Sequence, residues 1–219
     1  MRKKNQAEIA KARRERERAA LITRIKDIAR EMFIRDGYEA VTLHKIATAL
    51  EYTRPAIYRY FKDKNDLLVS IVLEDMETLY AQLQEYSSIA DPLEKLIKMA
   101  LRNSEWAIEH PNHYLLFYHP AWTAQEDEVR ARQGISLERE PLHLLYKTVE
   151  EMIAQGKIKP EYKDAALLAK TVWACIHGII MLEIAMSGYD RALIHDRDHP
   201  FEERLMVLIN GLASGFLRE

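Results

Sequence analysis

The chain has one cysteine, Cys175, among its 219 residues. It can form no internal disulfide, so a fold held by cross-links is excluded, and a reducing, cytoplasmic setting is the expectation. Glycine and proline are scarce, seven of each, which excludes collagen-like and low-complexity classes. Strand-like alternation is rare. No G-x-S-x-G, H-E-x-x-H, P-loop or G-x-G-x-x-G string occurs, so nothing in the sequence points to an enzyme or to a bound cofactor. Residues 1–20 are basic but lack the apolar centre of a signal peptide and contain Glu8, Glu15 and Glu17. The longest apolar run, Ala165 to Met186, reaches membrane-spanning length, but Lys170, His177 and Glu183 interrupt it. It reads as a helix buried on more than one side, not as a membrane span.

What is present is apolar residues at 48% and charged residues at 30%, the composition of an all-α protein with an ample core. The net charge of −2 conceals an asymmetry: residues 1–66 hold 17 Lys/Arg against 10 Asp/Glu, net +7, while the remainder hold 15 against 24, net −9. A basic first third on an acidic body is the electrostatic layout of a nucleic-acid-binding head. Residues 1–20 carry charge without an apolar face, and their i,i+4 pairs Lys11/Glu15 and Arg13/Glu17 support a helix. A disordered basic arm and a solvated extension of the first helix both fit. The division expected along the chain is 1–20 arm or extension, 21–66 DNA-binding head, and 67–219 ligand-binding and dimerisation body.

The stretch Val41–Leu68 organises the rest. Leu43, Ile46, Ala47 and Leu50 share one helical face, and Ile57 and Phe61 another. Thr42 and Thr53 are placed as N-caps, Pro55 lies in a first turn, and Asp63 caps a fourth helix that continues to about Tyr86. The second short helix has little to bury and offers Arg54, Ala56, Tyr58, Arg59 and Tyr60, groups suited to phosphates and base edges. Before it, Leu21, Ile25, Ile28, Ala29, Met32 and Phe33 form a stripe ended by Asp36-Gly37. Downstream, Asp91-Pro92-Leu93-Glu94 is a strong helix start, His110-Pro111 a stop, Pro141 a further start and Gly156 a stop. Gln125 to Gln133 is polar and reads as a loop or cap. The last stripe is Phe201, Leu205, Leu208, Ile209, Leu212 and Phe216.

Ile46-Ala47, then Thr53-Arg54-Pro55-Ala56-Ile57-Tyr58-Arg59-Tyr60-Phe61, then Lys64 and Leu67-Leu68, resemble the DNA-binding domain of TetR-family transcriptional regulators, as do Ala29, Phe33 and Gly37-Tyr38 upstream. The likeness spans roughly residues 22 to 70. One departure stands out: Leu50-Glu51 occupy the turn where the family usually has a small residue and glycine, so either the turn stores strain of about 1 kcal/mol or it is built differently. Trp173-Ala174-Cys175-Ile176-His177-Gly178, with Leu182-Glu183, also resembles the WHG-type C-terminal ligand-binding domain of one branch of the family.

The resemblance implies double-stranded DNA as partner and Thr42, His44, Lys45, Thr53, Arg54, Pro55, Ala56, Tyr58, Arg59, Tyr60 and Lys64 as the DNA-binding set. Arg54 is placed for base edges, and Tyr58, Tyr60 and Lys64 for phosphates. It further implies a repressor released by a small-molecule effector. The aromatic residues Trp106, Tyr114, Phe117, Tyr118, Trp122, Tyr146 and Trp173, with His110 and His177, read either as core or as the lining of an apolar or amphipathic effector pocket. His195-Asp196-Arg197-Asp198-His199 fits a charged linker or a metal loop, and Arg197 in its middle opposes a metal. The two heavily apolar C-terminal helices, with Ala174/Gly178 and Gly211/Gly215 spaced for close approach, imply a four-helix interface between two copies and hence a roughly palindromic operator. An effector-independent architectural DNA binder and a helical enzyme are the other classes open at this point.

Overall fold

The computed structural model describes residues 2–119, 121, 126–134, 136–186 and 200–218. Among these the fold is all-α: α1 (Arg2–Asp36), α2 (Leu43–Ala49), α3 (Arg54–Tyr58), α4 (Lys64–Gln84), α5 (Pro92–Glu109), α6 (Pro111–Leu116), α7 (Glu126–Gln133), α8 (Pro141–Ala154), α9 (Ala165–Met186) and α10 (Phe201–Phe216). The only bridge among them is isolated, Ile158 against Leu217.

Two compact units do not follow chain order. Residues 1–73 and 116–133 form the first, and 74–115 with 134–219 the second. The division between them falls inside α4. The segment after α6 belongs with the head because the His119 ring packs tilted against Tyr38, ring centroids 4.5 Å apart, and because Glu128 faces Lys62 at 3.6 Å.

In the first unit, Ile25, Ala29, Met32 and Phe33 of α1 are buried with Leu43, Ile46, Ala47, Ile57 and Phe61. Four of the six residues of the stripe read from the sequence are core, and Leu21 and Ile28 are half-buried. α1 is one unbroken helix from Arg2, and every side chain from Glu8 to Ala20 is exposed. Gly37 closes α1 in the left-handed region at φ 79°, its N–H reaching the Phe33 carbonyl at 3.1 Å. Asp63 and Asp66 close the entry to α4 reciprocally: Asp63 accepts from the Asp66 N–H at 2.8 Å and buried Asp66 accepts from the Lys62 N–H at 2.8 Å. Residues 126–133, read as loop or cap, are helical. Their anchors are Val129 and Arg130, both buried.

In the second unit α5, α8, α9 and α10 pack as a bundle. Asp91 caps α5, accepting from the Leu93 N–H at 3.0 Å. The Lys95 ammonium, almost fully buried, reaches Glu151 of α8 at 2.6 Å. α8 ends in a Schellman motif: Gly156 sits at φ 69°, its N–H bonds Ile153 and the Lys157 N–H bonds Met152. The chain then pairs with the C-terminus, and Lys159 caps α10 by donating to the Ser214 and Gly215 carbonyls at 3.2 and 2.8 Å.

α9 is long and apolar enough to cross a membrane by composition, yet within one protomer it is buried on one side only. Leu168, Val172, Ile176 and Ile180 point inward. On the opposite face Leu167 and Leu182 are 65% and 62% exposed, in line with Ala174 and Gly178. A Cβ added at Gly178, Gly211 or Gly215 would meet nothing within 4 Å in the same chain.

Candidate nucleic-acid interface and apolar cavity

The turn between α2 and α3 sets the interface. Thr42 caps α2, its hydroxyl accepting from the Lys45 N–H at 3.2 Å. Leu50 follows in the right-handed region, φ −88°, and Glu51 at φ 59° takes the left-handed place usual for glycine. The Glu51 N–H bonds Thr48 at 3.1 Å and the Tyr52 N–H bonds Ala47 at 2.9 Å, the two bonds of a Schellman motif. The turn is therefore of the ordinary kind, and it is strained at Glu51.

Thr53 starts α3 in extended conformation, but its side chain makes no capping bond, contrary to the cap expected there. Pro55 occupies the first turn, where its missing N–H costs nothing. Ile57 is completely buried and Phe61 nearly so, and these two pin the short helix. Arg54, Pro55, Tyr58 and Arg59 are exposed, and Ala56 and Tyr60 are half-buried. The Arg54 guanidinium lies 6.0 Å from the Tyr58 ring centre, and Tyr58 is 47% exposed. His44 and Lys45 are exposed on α2. The expected set thus splits: Arg54, Tyr58 and Arg59 present open polar groups, Thr53 is exposed without a capping bond, and the Thr42 hydroxyl caps α2.

Two of the cations are already engaged. Lys45 donates to the Ala40 carbonyl at 2.8 Å, and Lys64 to the Tyr38 carbonyl at 2.8 Å. The Lys64 ammonium also lies 3.9 Å from the Tyr38 ring centre and 4.0 Å from Glu39. Burial pushes the Tyr38 hydroxyl pKa up. An ammonium has three donors, so each lysine keeps donors while its position is fixed. Beside α3 a groove is lined by Arg18, Lys26, Tyr58, Arg59, Tyr60 and Lys62. Arg18 and Lys62 were not among the expected residues; the basic balance of the first 66 residues was their only signal.

The expected ligand residues with printed contacts fall in several places among the described residues. Tyr114 is buried and its hydroxyl is 3.0 Å from His177 Nδ1. Trp173 stacks on His177 at 5.4 Å with planes 6° apart. Burial lowers the His177 pKa. Trp106, His110 and His113 form a second group, with His113 Nδ1 3.0 Å from buried Asp75. Phe117, buried, and Tyr118 lie in the first unit. Tyr146 borders a shallow groove with Glu140, His143, Ala166 and Lys170. Trp122 and the whole His195–His199 stretch lie outside the described residues.

The sequence reading missed a different space. Leu96, Met152, Val172, Ile176, Ile209 and Phe216, among others, enclose a wholly apolar cavity of about 40 Å³ between α5, α8, α9 and α10. Among the described residues no group of three or more His, Cys, Asp or Glu is arranged to hold a metal ion.

Residues 25–71 match the pattern of bacterial regulatory proteins of the tetR family, and residues 96–208 that of the tetracyclin repressor-like C-terminal domain. The chain belongs to the TetR family. Among curated relatives, an HTH-type transcriptional regulator of Staphylococcus aureus (strain bovine RF122) is 29% identical over 109 residues, 45% of this chain. The chain spans 59% of that relative's length. FadR from Bacillus subtilis, solved in complex with stearoyl-CoA, has TM-score 0.67 at 21% identity, covering 88% of this chain and 98% of that one. The TetR-family regulator PfmR from Thermus thermophilus has TM-score 0.59 at 21% identity, covering 89% and 99%. At these identities the structures share the fold.

Proposed function

We propose that this TetR-family chain is a homodimeric repressor that leaves a roughly palindromic operator when an apolar, acyl-chain-like effector opens the cavity between α5, α8, α9 and α10. The observation that carries the DNA half is α3: five residues pinned by buried Ile57, with Arg54, Tyr58 and Arg59 left open. A helix this short gains little from burial, so its composition is explained by what it contacts. The planar fork of Arg54 suits O6 and N7 of guanine. Tyr58, Tyr60 and Lys64 suit phosphates, which fix register without reading sequence.

The open stripe Leu167, Ala174, Gly178 and Leu182 on α9, with Val207, Gly211 and Gly215 on α10, supports a second copy as the missing partner. Two recognition helices then require half-sites one or more helical turns apart. The apolar cavity supports the effector half, and the stearoyl-CoA bound by the Bacillus subtilis neighbour fits its chemistry. The aromatic groups around His177 and His113 are proposed as polar handles at its periphery, not as its wall. The cavity's small volume is the observation that favours the other reading, an effector-independent DNA binder.

Operators selected from a random duplex library test the DNA half. Arg54→Ala should cost about 1–3 kcal/mol per half-site and relax preference at one base pair. Lys64→Ala should weaken all sequences equally and reduce the salt slope by about one per subunit. Uniform loss from Arg54→Ala, with altered base preference from Lys64→Ala, would overturn the assignment. Release of the operator by a long-chain acyl compound tests the effector half, and no release by any apolar compound would favour the effector-independent reading.

A further inference from the structure

The first twenty residues have no structural reason to be helical. Side chains from Glu8 to Ala20 are all exposed, so this part of α1 gains nothing from a core, and an unpacked helix of such length is marginal in water. Its internal support is two exposed pairs, Arg13–Glu17 at 2.7 Å and Lys11–Glu15 at 3.9 Å, worth a few tenths of a kcal/mol each. What the extension does carry is an ordered charge pattern. Lys11, Arg14, Arg18, Ile22, Ile25, Ala29 and Met32 are spaced three and four apart and share one face. From Ile25 onward that face is the buried face of the head; before Ile22 it is cationic. Arg13 and Arg16 lie on the other side of the helix.

The cationic face joins α3 directly. The Arg18 guanidinium lies 5.9 Å from the Tyr60 ring centre, and Arg18 lines the groove that continues through Tyr58, Arg59 and Lys62. The charge therefore runs without a break from the recognition helix onto α1. The opposing charge that fits a linear array of cations leading away from a DNA-reading helix is the phosphate backbone of the same duplex.

We infer that the α1 extension is a second DNA-binding element, tracking phosphates outside the half-site through Lys11, Arg14 and Arg18. This rests on the operator-binding reading above. Seven residues of helix rise about 10 Å, close to three phosphates at about 3.4 Å along one strand. The footprint should extend by about that many nucleotides on each side.

The test uses the full chain and a selected operator in two duplexes, one ending at the half-site edges and one continuing for ten base pairs. Wild type should bind the longer duplex more tightly and with a steeper salt dependence. Lys11→Gln/Arg14→Gln, which keeps good helix formers, should lose that increment. Its salt slope should fall by about 2 per subunit on the long duplex and stay unchanged on the short one. Arg13→Gln/Arg16→Gln removes the same charge from the other face and should keep the increment. Equal slopes for wild type and the Lys11/Arg14 variant on the long duplex would overturn the proposal, as would equal losses from both double variants. A wild type that prefers no selected duplex over random DNA would instead be the failure of operator reading itself.

Discussion

Replacing Glu51 with glycine should stabilise the DNA-binding head, and the size of the gain follows from two opposing terms. At φ 59° Glu51 holds the left-handed place of the α2 Schellman turn, and its Cβ costs about 1–2 kcal/mol there. Glycine removes that cost but loses about 0.5–1 kcal/mol more conformational entropy on folding. The expected net gain is about 0.5 kcal/mol. Asparagine tolerates the left-handed region without the full entropy loss, so Glu51→Asn should gain about as much or slightly more. Glu51→Val should lose about 1 kcal/mol, since a β-branched side chain suits this region worst. Urea titrations followed by circular dichroism would rank the four proteins, with thermal midpoints shifting by roughly 2–4 °C per kcal/mol for a chain of this size. The substitution also removes a carboxylate beside α3, which should tighten DNA binding by charge alone. Glu51→Gln supplies the control, matching that tightening without the stability gain. A valine variant as stable as wild type would show that the turn is relaxed and the strain argument wrong.

Gly178→Leu should leave the protomer fold intact, because a Cβ there meets nothing within 4 Å; analytical ultracentrifugation should nevertheless show a weakened dimer, and a wild-type monomer at micromolar concentration would remove the premise. The His177 pKa is depressed by burial, so the unfolded chain binds that proton more readily. Stability should be full above the unfolded value of about 6.5 and fall as pH drops through it towards the folded value. Denaturation at pH 7.5 and 5.5 should show a smaller difference in His177→Gln.

The head was legible because its signals are local. The spacing of Leu43, Ile46 and Ala47, the Thr42 cap and Pro55 each act within a turn of helix, and Glu51 was visible as a non-glycine in a glycine position. Three things were not legible, for physical reasons. Residues 126–133 are polar and form a helix only because Val129 and Arg130 are buried by tertiary packing. α9 is apolar nearly all round, and composition alone does not say which faces its own chain covers; Val172 and Ile176 are covered, while Leu167 and Leu182 are not. The aromatic residues fit either core or pocket by residue type alone. In the fold Tyr114, Trp173 and His177 contact one another, and the apolar cavity among the described residues is lined mainly by aliphatic side chains brought together from α5, α8, α9 and α10.

That cavity constrains how an effector would act. At about 40 Å³ it falls well short of the roughly 300 Å³ that a small-molecule site needs. Binding therefore requires α5, α8, α9 and α10 to part, and the ligand's affinity is reduced by the fraction of molecules already open. Residues 74–84 of α4 belong to the same unit as this bundle and residues 64–73 to the first unit, so one continuous helix contributes to both. An effector shifts the DNA-binding equilibrium only by its preference for the open state. Substitutions that alter the cavity should then move affinity and stability in opposite directions. Ile176→Ala removes a buried wall residue; it should cost about 2–4 kcal/mol of stability yet bind a fluorescent long-chain acyl probe more tightly, because less of the opening remains to be done by the ligand. Ala213→Leu fills the space from α10 and should bind the probe weakly while holding the operator normally. If Ile176→Ala lost stability with no change in probe binding, and Ala213→Leu still released DNA on adding the acyl compound, the effector would not use this cavity.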